Sequence, residues 1–131
     1  MSHNKIKVCV LQMDVAHGDP EENRRRVETL LREALKQRKK PDILALPEMW
    51  NTGYDLKRIR ELADEEGRPH ITWLQELAKK ERVNIVAGSI ADKRPAKEEG
   101  EDAPIYNSSY IIDREGQIVA RYDKIHRFKL M

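Results

Sequence analysis

The first apolar run, Ile6-Lys7-Val8-Cys9-Val10-Leu11-Gln12-Met13, is nearly continuous and rich in β-branched residues. That pattern predicts a strand buried on both faces. After a polar connection over residues 14–18, Asp19-Pro20-Glu21-Glu22 spells a helix start, with a side-chain cap, a proline at the first helical position and acids in the first turn. Val27, Leu30, Leu31, Ala34 and Leu35 follow at helical spacing and line one face. The cationic run Lys36-Gln37-Arg38-Lys39-Lys40 closes this helix before Pro41, with positive charge where the helix dipole favours it. Asp42-Ile43-Leu44-Ala45-Leu46 is a second buried strand, stopped by Pro47. Strand, helix and strand in succession make a βαβ unit, which implies parallel pairing through a right-handed crossover.

The pattern then repeats. Residues 56–63 predict a short helix ended by Gly67, and Ile71, Leu74, Leu77 and Ala78 mark a second amphipathic helix running to Arg82. Val83-Asn84-Ile85-Val86-Ala87-Gly88 is the third strand. Residues 92–104 are dense in charge without apolar positions spaced for burial, and read as a mobile surface loop. Residues 105–113 and 117–122 are strands joined by Asp113-Arg114-Glu115-Gly116, a hairpin signal. The fold class is therefore α/β: β-α-β-α-β followed by a β-hairpin. The stretch 125–131 reads as the opening of a further loop.

Composition narrows the possible functions. The 131 residues carry 25 Lys and Arg against 23 Asp and Glu, a near balance that gives no electrostatic case for nucleic acid. Two Trp, four Tyr and one Phe leave little for base stacking. One cysteine excludes a disulfide framework and a Cys-rich zinc site, and fits a reducing, cytoplasmic setting. No apolar run approaches the ~20 residues of a membrane span, and the polar N-terminus lacks a signal-peptide core.

Two residues stand out as candidates for chemistry. Glu48 lies just past the carboxyl end of a parallel-type strand, where open α/β sheets place their ligand sites. Pro47 stiffens its stem, and Leu44, Leu46, Met49 and Trp50 are expected to desolvate it and raise its pKa towards that of a general base. Lys124, at the end of the last strand, is placed to stabilise a developing oxyanion. Against each stands a plainer alternative: a carboxylate on an exposed loop, and one solvated cation among Arg121, Arg127 and Lys129. Cys9, in the middle of the first strand, is expected to be a buried, inert thiol. His3, His17, His70 and His126 have no metal-ligand spacing, and Trp50 and Trp73 read as packing residues.

Around these two candidates the chain resembles the nitrilase, or carbon–nitrogen hydrolase, superfamily. Leu44-Ala45-Leu46-Pro47-Glu48-Met49-Trp50-Asn51-Thr52-Gly53-Tyr54 is similar to that family's stretch around its glutamate. Tyr106-Asn107-Ser108-Ser109-Tyr110-Ile111-Ile112-Asp113 with Gly116 is similar to its hairpin, and Tyr122-Asp123-Lys124-Ile125-His126-Arg127-Phe128 to the stretch around its lysine. The opening Val8-Cys9-Val10-Leu11-Gln12-Met13-Asp14 fits its first strand.

The resemblance implies a four-layer αββα sandwich, of which residues 1–131 would be one partial domain, the N-terminal half. It implies a Glu–Lys–Cys set acting on a small amide or a nitrile, amidase-like in flavour, with Glu48 as general base, Lys124 as oxyanion stabiliser, and no metal or organic cofactor. In the family the nucleophilic cysteine lies on a strand well after the lysine, with a second glutamate shortly after. Neither is reached by Met131, and the first-strand position of Cys9 is not one the family uses for catalysis. The expectation is a chain inactive by itself, with an exposed sheet edge and apolar face that invite self-association. The alternative is a non-catalytic assembly module that associates through the same surface.

Overall fold

The computed structural model describes residues 5–124, so the N-terminal residues through Asn4, with His3, and the stretch 125–131, with His126, lie outside the described residues. In chain order the elements are β1 (Val8–Val10), α1 (Pro20–Leu35), β2 (Ile43–Ala45), a one-turn helix α2 (Ile59–Leu62), β3 (Asp64–Glu65), α3 (His70–Glu81), β4 (Asn84–Lys93), β5 (Ile105–Ile112) and β6 (Ile118–Asp123). The sheet order is β1-β2-β4-β5-β6, with β3 beside the far end of β4. β1, β2 and β4 are parallel, and β4, β5 and β6 are antiparallel. Apart from β3, this is the α/β order that the hydrophobic pattern predicts.

The local signals explain the helices. Asp19 accepts from the N–H of Glu22 at 3.1 Å and caps α1, whose buried stripe is Asn23, Val27, Leu31 and Ala34. α3 buries Ile71, Leu74 and Ala78 and ends on Arg82 in the left-handed conformation. The helix expected over residues 56–63 shrinks to α2. Asp64 then turns into the core, where its carboxylate accepts from the main-chain N–H of His70 at 2.9 Å, and the chain passes through β3 instead.

The core lies between the helices and one face of the sheet. Val27 and Leu31 of α1 and Leu74 and Ala78 of α3 pack with Leu44, Ile85 and Ile112, which the register aligns across neighbouring strands. The opposite face carries Val10, Ala45, Val86 and Ile111 in the next aligned row. It is open: Val8 is 52% exposed and Val10 72%. The reading of the first strand as buried on both faces is thus wrong. β1, β2 and β4 advance across the sheet in one direction, and right-handed crossovers then put both long helices on the same side. The open apolar face expected of a half-sandwich is present.

The segment 92–104 also departs from expectation. β4 continues through Asp92 to Lys93, Asp92 is completely buried, and only residues beyond Arg94 form a loop. Burial here follows ion pairing rather than apolar spacing, which a hydrophobic pattern does not register.

Candidate functional site

Glu48 sits in the turn after β2, and one residue of β4 grips the backbone on both sides of it. The N–H of Ser89 donates to the carbonyl of Pro47 at 3.2 Å, and its carbonyl accepts from the N–H of Trp50 at 3.2 Å. Its hydroxyl oxygen accepts from the N–H of Met49 at 2.9 Å. Met49 has φ 51, a left-handed conformation that costs a side-chain-bearing residue about 1–2 kcal/mol. The bond to Ser89 helps to hold it there. Gly88 makes the close approach possible: a Cβ at that position would lie 2.0 Å from the Pro47 carbonyl oxygen, and its φ is +59.

Buried polar groups support the turn from below. Trp50 is fully buried and donates from Nε1 to the carbonyl of Ala87 at 3.0 Å. Asn51 accepts from the N–H of Ala91 at 2.9 Å and donates to the carbonyl of Ala91 at 3.0 Å and to Asp64 at 3.1 Å. Asp64 Oδ1 lies 2.6 Å from His70 Nδ1, and the His70 ring stands edge-on to Trp50. Asn23 of α1 donates to the carbonyl of Asn51 at 3.0 Å. The carboxylate of Glu48 is therefore carried on a stem with few free dihedrals.

Lys124 arrives from the far side of the sheet, immediately after β6. Its main-chain N–H donates to the carbonyl of Asn107 on β5 at 2.9 Å, and its Nζ lies 3.3 Å from Glu48 Oε1. Asn107 donates from Nδ2 to the same Oε1 at 2.9 Å, and the Tyr54 hydroxyl also hydrogen-bonds Glu48. The two candidates from the sequence thus meet, and Asn107 links both.

The electrostatics run opposite to the sequence expectation. Asn107's hydrogen bond, with further help from Lys124 and Tyr54, holds the Glu48 carboxyl below the ordinary carboxylate range against the opposing effect of partial burial. The apolar surround expected from Leu44, Leu46, Met49 and Trp50 does not prevail, because all four are packed into the cores while the Glu48 side chain remains 51% exposed. Glu48 is ionised at neutral pH and faces a cation and an amide donor.

Beside this group an open hollow of about 460 Å³ lies on the uncovered sheet face, lined by Glu48, Val86, Asn107, Ser109, Tyr122 and Lys124. It offers an apolar wall next to a base, an ammonium and an amide. Cys9 is not part of it. Its register partner is Leu44, on the helix-facing side, and Gln37 Nε2 lies 3.5 Å from its sulfur. Among the described residues no three His, Cys, Asp or Glu side chains gather as a metal-ligand set. Also among the described residues, no helix is long and apolar enough to cross a membrane.

The carbon–nitrogen hydrolase family model matches residues 7–130. Over 127 residues the chain is 44% identical to 2-oxoglutaramate amidase from Bacillus subtilis, covering 97% of this chain and 45% of that protein. It is 27% identical over 128 residues to the omega-amidase NIT3 of Saccharomyces cerevisiae, covering 95% and 42% of the two chains. The crystal structure of Saccharomyces cerevisiae Nit3, a member of branch 10 of the nitrilase superfamily, superposes with a TM-score of 0.78 at 26% identity, over 92% of this chain and 44% of that one. The chain spans less than half the length of these relatives.

Proposed function

Since this chain belongs to the carbon–nitrogen hydrolase family, we propose that Glu48 and Lys124 are its catalytic base and oxyanion-stabilising cation for hydrolysis of a small amide, completed by a cysteine nucleophile that residues 1–131 do not supply. The observation that carries this reading is the 3.3 Å contact of Lys124 with Glu48 on the rim of an apolar hollow. An ionised carboxylate accepts the thiol proton as sulfur attacks the amide carbonyl, and the carboxylic acid so formed returns that proton to the departing amine. Water then attacks the thioester with the same carboxylate taking its proton. The C–S bond breaks, that proton passes to the leaving sulfur, and the thiol and the Glu48 carboxylate are regenerated as the carboxylic acid product departs. In both tetrahedral stages negative charge develops on the former carbonyl oxygen, where a fixed ammonium is most effective.

The similarity to 2-oxoglutaramate amidase and to an omega-amidase supports a small amide such as 2-oxoglutaramate as the substrate. A fusion tests this directly. The chain is joined to the part of the Bacillus subtilis amidase beyond its matched stretch, and ammonia release from 2-oxoglutaramate is followed. Turnover is expected; a folded fusion without turnover on this or other small amides contradicts the reading. The chain by itself is expected to be inactive.

The open apolar face favours a second property, self-association. Ile6, Val8, Val10, Val86 and Ile111 are all exposed, and apolar surface of this kind marks an association site.

A further inference from the structure

A buried ion cluster on the helix-facing side of the sheet stops one residue short of Lys124. Its root is Asp92, completely buried, which accepts from the N–H of Gly67 at 2.9 Å, from the Tyr110 hydroxyl and from Nη1 of Arg94. Burial, and then Asp92 itself, push the Tyr110 phenol well up, so it stays protonated and donates. The Arg94 residue is only 9% exposed. Its Nη2 donates to Ser108 Oγ at 3.1 Å and to Asp123 Oδ1 at 2.9 Å, and Ser108 Oγ donates to the same Asp123 oxygen at 2.6 Å.

The cluster matters because of where β6 lies. Among the described residues β6 is an edge strand, paired only with β5, and its residues 118–122 are exposed. The end of such a strand is poorly held unless something ties it down. Successive residues on a strand point to opposite faces. Drawing Asp123 inward onto Arg94 and Ser108 therefore sends the next side chain, Lys124, outward to the open face where Glu48 lies. A one-residue slip would exchange the two.

We propose that Arg94, acting through Asp123 and Ser108, is a positioning residue for Lys124: rooted on Asp92, it pins the last residue of β6 so that the following ammonium reaches Glu48. This rests on reading Glu48 and Lys124 as the working pair.

The test is a titration of the Glu48 side-chain carboxyl by ¹³C NMR in the 131-residue chain, with dispersed amide spectra as the check on folding. Lys124→Met removes the cation and raises the Glu48 midpoint. Asp123→Ala removes the anchor and is expected to raise it by a large part of the same shift. The sign is decisive, because loss of a nearby negative charge alone lowers the midpoint of a carboxyl. Ser108→Ala changes no charge and is expected to raise the midpoint by a smaller amount; if Asp123→Ala does not fold, this variant decides by the same sign. A rise in Lys124→Met with no rise in Asp123→Ala overturns the role of Arg94 and leaves the pair intact. No rise in Lys124→Met overturns the pair itself, and the proposed function with it.

Discussion

Asn107 binds Glu48 through its side chain and Lys124 through its main chain, so that two groups 76 positions apart in sequence are referenced to one residue of β5. The carboxylate and the ammonium follow different strands, β2 and β6, and a shared reference point makes their separation insensitive to small motions of either end. The amide also supplies the largest single influence on the ionisation of Glu48.

Asn107→Ala should therefore raise the Glu48 pKa towards that of a free glutamate. The consequence for stability has a definite sign. A carboxyl with a depressed folded pKa stabilises the fold above its unfolded pKa of about 4.3, and that contribution is lost as pH falls through the folded pKa. The stability difference between the parent and Asn107→Ala should be constant above about pH 5 and shrink below it. Urea unfolding across pH 2–7 measures this; a difference that does not change over that range contradicts it.

Gly88 and Ser89 should be sensitive positions although neither is a candidate for chemistry. Gly88→Ala places a Cβ against the Pro47 and Leu46 carbonyls at a left-handed backbone position, and is expected to cost about 3 kcal/mol or more. Ser89→Ala leaves the Met49 N–H without its partner, at a cost of about 1–3 kcal/mol. Equilibrium unfolding gives both values. Losses within about 0.5 kcal/mol, the range of an ordinary surface substitution, would remove the basis for a rigid Glu48 stem.

The open face predicts concentration-dependent association of the 131-residue chain. Val10→Lys places a charge at a position already 72% exposed, so it should weaken association without lowering stability. Sedimentation velocity distinguishes the outcomes. Association reduced by about tenfold or more in the variant supports the face as the contact. A 15.3 kDa monomer at every concentration rules it out.

The parts of this structure that rest on periodicity and punctuation were legible in the sequence. α1 is announced by Asp19-Pro20 and its apolar stripe, and the β5–β6 hairpin by the turn at 113–116, where the Asp113 side chain accepts from the N–H groups of Glu115 and Gln117. Glu48 was legible because Pro47 marks a strand end. What stayed hidden depends on pairing between distant residues. Val8 and Val10 look like core residues, and only the side on which both helices pack decides that they are not. Asp92 and Arg94 look like loop residues because buried ion pairs have no hydrophobic signature. The depressed pKa of Glu48 depends on Asn107, which its position in the hairpin motif marks but does not connect to the carboxylate. The one available signal for the stem was a glycine inside a strand pattern, at Gly88, which indicates a bulge or a close backbone approach.

The central claim is that Glu48 and Lys124 work as a pair on an acyl group. The measurement that tests it most directly is kcat for 2-oxoglutaramate in the fusion carrying Glu48→Gln or Lys124→Met, compared with the unsubstituted fusion. General-base and oxyanion contributions of this kind are worth about 100-fold or more each, and each substitution is expected to lower kcat by that much while the fold is retained. A kcat within about threefold of the parent for either variant would contradict the account, since an interaction made in the transition state cannot be removed at so small a cost.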